Sequence, residues 1–362
     1  MSHPHTPAVS PSCVELCAGA GGQALGLERA GFRHEALVEL DGDACRTLRT
    51  NRPYWNILEA DVRSLPATSI SSGDRACLLA AGVPCPPFSL AGKQLGADDE
   101  RDLFPAVLSL ISVIKPRAVL IENVKGLLQR KFSTYRSDVI QTLTDLGYTA
   151  EWKLLFARDF GIPQLRPRAV LVALEADAFG AFQWPDSSSP ISGNALVGDV
   201  LRDSMASRGW ELADLWAQQA QQIAPTLCGG SKKHGGPDLG PSRARQAWAR
   251  MGVNGSGVAD TPPAPGDPLP VKLTIDQMAL LQGFPSDWKF EGRKTSAYRQ
   301  VGNAFPPPVA QAVGLKIAEA VHQADVQARS TPQTGLADGT VLSGSRRTSP
   351  SEVVRRDEIT LF

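Results

Sequence analysis

Short apolar runs recur through the first half of the chain: Cys13-Val14-Glu15-Leu16-Cys17, Ala36-Leu37-Val38, Ala76 to Ala81, Ala118 to Ile121, and Ala169 to Leu174. Each has the length and continuous apolarity of a strand buried on both faces. Between them lie stretches with helical spacing. Ala24 to Ala30 is closed by Gly31, Leu103-Phe104 opens an apolar stretch through Ile114 that Pro116 stops, and another runs to Leu146 before Gly147-Tyr148. Strands alternating with helices predict an α/β fold of five or six β/α units, a doubly wound and mostly parallel sheet.

The rhythm fails near Phe182. Asp186-Ser187-Ser188-Ser189-Pro190 reads as a linker, and Thr261 to Gly266 as a second one. A helix is predicted from Leu273-Thr274 to Gln282, with Thr274 near its N-cap and Gly283-Phe284-Pro285 at its end. Pro306-Pro307-Pro308 then suits the start of a last helix, whose apolar stripe is Val309, Val313, Ile317 and Val321. The expected organisation is a flexible segment 1–11, a main domain 12–185 completed by 295–323, a smaller domain 186–294, and a disordered tail 324–362 rich in Ser, Thr, Gly, Arg and Asp.

Composition narrows the class. With 362 residues, 42% hydrophobic and 20% charged, the chain can bury a large core and suits a globular protein. No apolar run approaches the roughly 20 residues of a membrane span, and the first residues lack the layout of a signal peptide; a cytoplasmic protein is expected. The six cysteines show no CxxC spacing, so neither a zinc site nor a disulfide framework is predicted. Thirty-seven basic residues balance 37 acidic ones. That argues against indiscriminate binding to nucleic acid but allows a local basic face. Between Pro225 and Gly252 such a face exists, where Lys232, Lys233, Arg243, Arg245 and Arg250 stand against Asp238 alone, a local charge of +4.

Several positions carry chemistry. The strand through Ala81 runs into Gly82-Val83-Pro84-Cys85-Pro86-Pro87-Phe88-Ser89, where three prolines hold the thiol on a stiff loop at a strand end. Cys85 there is either an activated nucleophile or a buried structural cysteine. Ala18-Gly19-Ala20-Gly21-Gly22 links a strand to a helix, the geometry that lets backbone approach a nucleoside-containing cofactor. Glu39 follows Gly21 by 18 residues, where an acid can bond ribose hydroxyls. Asp61 could bond an adenine or cap a helix. Glu122, ending the strand of Ala118 to Ile121, is a general acid, a helix cap or a surface partner. Gln164-x-Arg166-x-Arg168 precedes another strand; alternation puts the two guanidiniums on one side, for anion or base-edge contact or as an exposed strand start. The glycine-rich loop around Lys232-Lys233 suits phosphate contact, and Arg243 and Arg245 beside Trp248 suit guanine edges; the alternative is a solvated basic loop.

In this order, Ala18-Gly19-Ala20-Gly21-Gly22, Glu39, Asp61, Pro84-Cys85, Glu122-Asn123-Val124, Gln164-x-Arg166-x-Arg168, Leu281-Gln282-Gly283-Phe284-Pro285 and Gly302-Asn303-Ala304 resemble the DNA (cytosine-5) methyltransferases of bacterial restriction–modification systems. The resemblance spans about Cys13 to Val321 and is broken only at the basic segment. It implies a Rossmann-like fold that uses S-adenosylmethionine and leaves S-adenosylhomocysteine. It implies Cys85 as nucleophile toward C6 of a flipped-out cytosine, Glu122 at N3, and Arg168 with Arg166 at O2. Cys17, Ala18, Gly19, Gly21, Gly22, Glu39, Asp61, Pro84 and Asn303 would surround the cofactor. Ser89, Gln164, Thr226, Lys232, Lys233, Arg243 and Arg245 would meet DNA, the smaller domain acting as target reader. Two positions depart from the family: Pro86 replaces a glutamine, and Cys17 replaces a phenylalanine that stacks on adenine.

The resemblance further implies double-stranded DNA as partner, no metal, a monomer associated with the nucleoid, and pairing in function with a restriction endonuclease without a stable complex. A tRNA cytosine methyltransferase of the same family is the first alternative, and the long basic insert argues for duplex DNA instead. A non-catalytic DNA-binding relative would be expected to lack Cys85, Glu122 or Arg168. A nicotinamide dehydrogenase would leave Pro84-Cys85, Glu122 and the arginine pair unexplained.

Overall fold

Burial in the computed structural model, which describes residues 10–70, 75–84, 102–186, 195–229 and 236–330, follows a sheet covered on both faces. Strands β1 (Ser12–Leu16), β2 (Arg33–Glu39), β3 (Ile57–Glu59), β4 (Leu78–Gly82), β5 (Ala118–Val124), β6 (Tyr148–Phe156) and β7 (Pro167–Glu175) form one sheet in the order β3-β2-β1-β4-β5-β7-β6. Helices α1 (Gly22–Arg29), α2 (Gly42–Asn51), α3 (Phe104–Ile114), α4 (Ser133–Asp145) and α5 (Ala176–Phe179) belong to the β/α part. The rest of the chain supplies α6 (Val197–Ala206), α7 (Ala213–Gln219), α8 (Ser242–Arg250), α9 (Ile275–Leu280), α10 (Lys294–Asn303) and α11 (Pro307–Ser330).

Successive residues of a strand face opposite sides, and the two sides bury separate clusters. Val14, Leu16, Leu79, Ala81, Val119 and Ile121 pack under α3 and α4. Cys13, Leu78, Ala80, Leu120, Val170 and Val172 pack with Leu27 of α1 and Val309, Val313 and Ile317 of α11. The predicted stripe of the last helix is thus the face that covers the sheet.

From β1 the chain winds outward through β2 and β3, then returns to lay β4 and β5 on β1's other flank, all in parallel. Ligands bind at such a reversal, outside the carboxyl ends of the strands. β7 breaks the parallel rule by inserting antiparallel between β5 and β6. Its register sets Arg168 opposite Val124, so the beginning of β7 lies beside the end of β5.

Three elements depart from the expectations. β6 is an edge strand, and its alternating Tyr-Thr-Ala-Glu-Trp-Lys pattern lacks the continuous apolar run that marks the central strands. The segment after residue 194 is helical in α6 and α7, where the β/α rhythm had simply been lost. α11 runs to Ser330, seven residues beyond the expected end at Gln323. Its last turns are held by buried Ala324 and by Asp325 on Arg117, which also pairs with Glu175 at 2.8 Å. A chain stopped at Gln323 should therefore melt below one stopped at Ser330 by roughly 2–4 °C for each kcal/mol lost, measured by calorimetry.

The smaller part is not a separate globule. Trp216, Trp248, Met205 and Leu273 share a core with Leu281, Phe284 and Trp288, and through these with Ala24, Leu25, Leu37 and Leu48 of the β/α part. Among the described residues, no helix is long and apolar enough to cross a membrane, and no three His, Cys, Asp or Glu side chains are grouped to hold a metal ion.

Candidate active site

The carboxyl ends of β1, β2, β4 and β5 bring the candidate residues to one rim. After Leu16 the chain turns through Cys17 and Gly19, both at φ 55, and reaches Gly21 at φ 86. Left-handed backbone of that kind favours glycine, and at Gly21 a side chain would also meet Leu48 at 2.7 Å. Cys17 adopts it with a side chain. Gly21 is the N-cap of α1, and no side chain caps the helix. Its first-turn N–H groups are therefore left for a ligand or solvent.

Glu39 ties this loop to the end of β2. Its Oε2 accepts from the Gly19 N–H at 2.7 Å, and its Oε1 from Leu40 at 2.8 Å and Asp41 at 2.7 Å. Burial pushes the carboxyl above its ordinary range, and the three N–H donors oppose the shift. A carboxylate has about four acceptor positions, so Glu39 can hold the loop and still accept a hydroxyl. Asp61 caps the short turn that follows it, accepting from Arg63 N at 2.9 Å and pairing with the Arg63 guanidinium at 2.6 Å. Those bonds hold its carboxyl below the usual range.

β4 ends at Gly82, which lies in register with Glu122 of β5. Val83 and Pro84 carry the chain onward, with Asn123 Nδ2 donating to Val83 O at 3.5 Å. Pro84 is the last described residue before Cys85. Cys85, Ser89, Lys232 and Lys233 lie outside the described residues, as does most of the polar stretch Lys93 to Asp102.

Glu122 is 5% exposed and Arg168 is 7% exposed. They form an ion pair, Arg168 Nε to Glu122 Oε1 at 2.6 Å. Burial pushes the Glu122 carboxyl above its ordinary value, with Arg168 and then Arg166 pulling it back. A buried carboxyl pushed toward its acid form beside a fixed guanidinium is suited to deliver a hydrogen bond or a proton. Val124, not Glu122, caps the turn that follows β5, and the Glu122–Arg168 pair is buried rather than on the surface.

Both arginines of the pair are buried. β7 begins at Pro167, and Ala157 N donates to Arg166 O at 3.2 Å, so the backbone pairing with β6 reaches Arg166. Arg166 is 0% exposed and donates to Leu227 O at 2.7 Å, Gly302 O at 2.8 Å and Ala304 O at 2.7 Å. Its burial excludes the exposed strand start. Gln164 is corrected in the same way. Its buried amide donates to Leu281 O at 3.0 Å and Gln282 Oε1 at 2.6 Å and accepts from Leu227 N at 2.8 Å, a seam between segments rather than a surface for DNA.

Thr226 is half-buried, and Asn303 is exposed at the end of α10. Arg243 and Arg245 are exposed on α8, which buried Trp248 anchors. Two residues apart on a helix, they project roughly 200° from each other. Arg243 instead shares its side with exposed Gln246 and Arg250, at spacings of three and seven. That grouping follows from helical periodicity alone and becomes readable once α8 is known to be a helix.

The model of the C-5 cytosine-specific DNA methylase family matches residues 12–319. The chain belongs to that family. It is 55% identical over 312 residues to the Type II methyltransferase M.NaeI of Lentzea aerocolonigenes, covering 85% of this chain and 75% of the relative. With M.NgoMIV of Neisseria gonorrhoeae it shares 48% over 311 residues, covering 85% of this chain and 97% of that one. Among solved structures, an Escherichia coli prophage protein described as a DNA modification methyltransferase superposes with a TM-score of 0.62 at 24% identity, over 86% of this chain and 100% of the other. Schizosaccharomyces pombe Dnmt2 methyltransferase gives 0.57 at 18%, over 86% and 99%. At those identities the structures speak for the shared Rossmann-like fold. As a family member, the chain is a DNA cytosine-5 methyltransferase, and its likeness to Type II restriction–modification enzymes favours this over the tRNA alternative.

Proposed function

We propose that the protein methylates C5 of a flipped-out cytosine in a specific duplex site, with Cys85 as nucleophile, Glu122 as acid and Arg168 as its fixed partner. The observation that carries this reading is the buried Glu122–Arg168 pair, set beside the strand end that leads into Pro84-Cys85. Addition of the Cys85 thiolate to C6 puts electron density on N3 and C5. Glu122 stabilises N3 by a proton or hydrogen bond, and Arg168 holds the carboxyl in place and lies near enough in the fold to serve O2. The ring carbon C5 then acts as a nucleophile; loss of its proton and expulsion of the thiolate restore aromaticity. These atoms are stacked inside a duplex, so the base must leave the helix.

S-adenosylmethionine, when bound, supplies the methyl group. The uncapped N-terminus of α1 fits its carboxylate, and the lone pairs left on Glu39 fit ribose hydroxyls. Cys17, Ala18, Gly22, Asp61, Pro84 and Asn303 complete the enclosure in this reading, with Asp61 at the adenine. The exposed side of α8 carrying Arg243 reads bases, and Lys232 and Lys233 contact phosphates. The enzyme acts as a monomer in the cytoplasm and guards its sites against a partner endonuclease.

Expression in a host free of DNA methylation, followed by conversion sequencing, tests this: one short duplex motif should carry 5-methylcytosine throughout the genome. Unmodified DNA from cells holding folded protein would overturn the reading. In the same assay Arg243→Ala should spread methylation to single-mismatch sites, since an arginine–guanine contact discriminates by about 1–3 kcal/mol. Lys232→Ala should weaken binding to every duplex alike and lower the salt slope by roughly one unit.

A further inference from the structure

We infer that Arg166 is a positioning residue for the cofactor, holding Asn303 at the rim by gripping the carbonyls on either side of it. The inference rests on the reading of Asn303 as a cofactor residue. Helix ends leave their last carbonyls without intrahelical partners, and a cation there meets the negative end of the helix dipole. At the end of α10 those carbonyls are met by two buried side chains. Arg166 Nη2 donates to Gly302 O at 2.8 Å and Ala304 O at 2.7 Å, bracketing Asn303 in sequence. Gln282 Nε2 donates to Val301 O at 2.7 Å. The backbone on both sides of Asn303 is thus fastened from the interior, while the residue itself is exposed.

The third bond, Arg166 Nη1 to Leu227 O at 2.7 Å, fastens the segment that lies over the same helix end. The fit there is close. A side chain at position 302 would come within 2.3 Å of Gly229 N, so the backbone of 228–229 rests directly on α10. One fully buried guanidinium therefore sets the separation of three chain segments. It does so two residues from Arg168, which holds Glu122. A lysine cannot replace it, because an ammonium presents a single compact head rather than a planar fork.

Because Arg166 acts through Asn303, the two residues should not contribute independently to cofactor affinity. The test is S-adenosylmethionine titration of the full-length protein by calorimetry, in a double-mutant cycle of Arg166→Lys and Asn303→Ala. Each single variant should raise Kd roughly tenfold, and the double variant should stay within about twofold of Asn303→Ala. A double variant weakened by the product of the single effects overturns the inference and leaves the cofactor role of Asn303 standing. An Asn303→Ala protein with unchanged Kd overturns that role, and the inference with it. If Arg166→Lys does not melt cooperatively, Gln282→Leu takes its place in the cycle. Releasing Val301 O loosens the same helix end, so the same non-additivity is expected, and additivity is again disproof.

Discussion

DNA carrying 5-fluorocytosine at the target position is expected to capture the wild-type protein irreversibly, and to leave Cys85→Ser free. After the methyl group arrives at C5, release of the enzyme requires loss of the substituent that C5 already bears. A proton leaves to a base; fluorine cannot leave as a cation, so the Cys85–C6 bond persists. Serine at position 85 lacks a thiolate, and its hydroxyl is far less acidic. Turnover on ordinary cytosine should fall at least about 10³-fold, as for other nucleophile deletions. A denaturing gel reads the capture and a thermal melt confirms that the variant folds. Capture that survives in folded Cys85→Ser would falsify the assignment.

The second large effect is expected at Glu122. Glu122→Gln keeps the shape and one hydrogen-bond donor but cannot give up a proton, so methyl transfer should drop about 10²-fold or more, near 2.7 kcal/mol of barrier. Cofactor affinity should be preserved, since Glu122 is packed on Arg168 rather than on the glycine loop. Burial raises the Glu122 carboxyl, so the folded protein keeps this proton where the unfolded chain has released it, above about pH 4.3. The stabilisation is full below that pH and is lost as pH rises through the folded value. The melting temperature of Glu122→Gln should accordingly gain on wild type as the pH is raised. The high-pH fall of wild-type kcat that Glu122 governs should be missing from the variant. Unchanged turnover would reduce Glu122 to a packing element.

The central strands could be read from the chain because burial on both faces leaves only apolar residues to choose from, as in Leu78 to Ala81 and Ala169 to Leu174. The same was true of the rim: Glu39, Pro84 and Glu122 end such runs. What could not be read was anything set by non-local pairing. The antiparallel insertion of β7, which brings Arg168 to Glu122, has no local signature. Gln164 and Arg166 are polar residues next to a strand, and polarity usually means surface. Their burial is possible only because carbonyls of residues 227, 281, 302 and 304 converge on them. The helix α10 escaped notice because its glycine and asparagine end reads as a loop.

The packing of α11 against α1 orders events during synthesis. α1 follows the glycine loop, yet its Leu27, together with Phe32, packs with Ala310, Val313 and Ile317, almost three hundred residues later in the chain. Until α11 has left the ribosome, the flank of the sheet that it covers is bare. Domains generally fold as units during translation, and exposed apolar surface in the interim invites aggregation. A premature stop ahead of α11 should therefore yield insoluble protein rather than a slow catalyst.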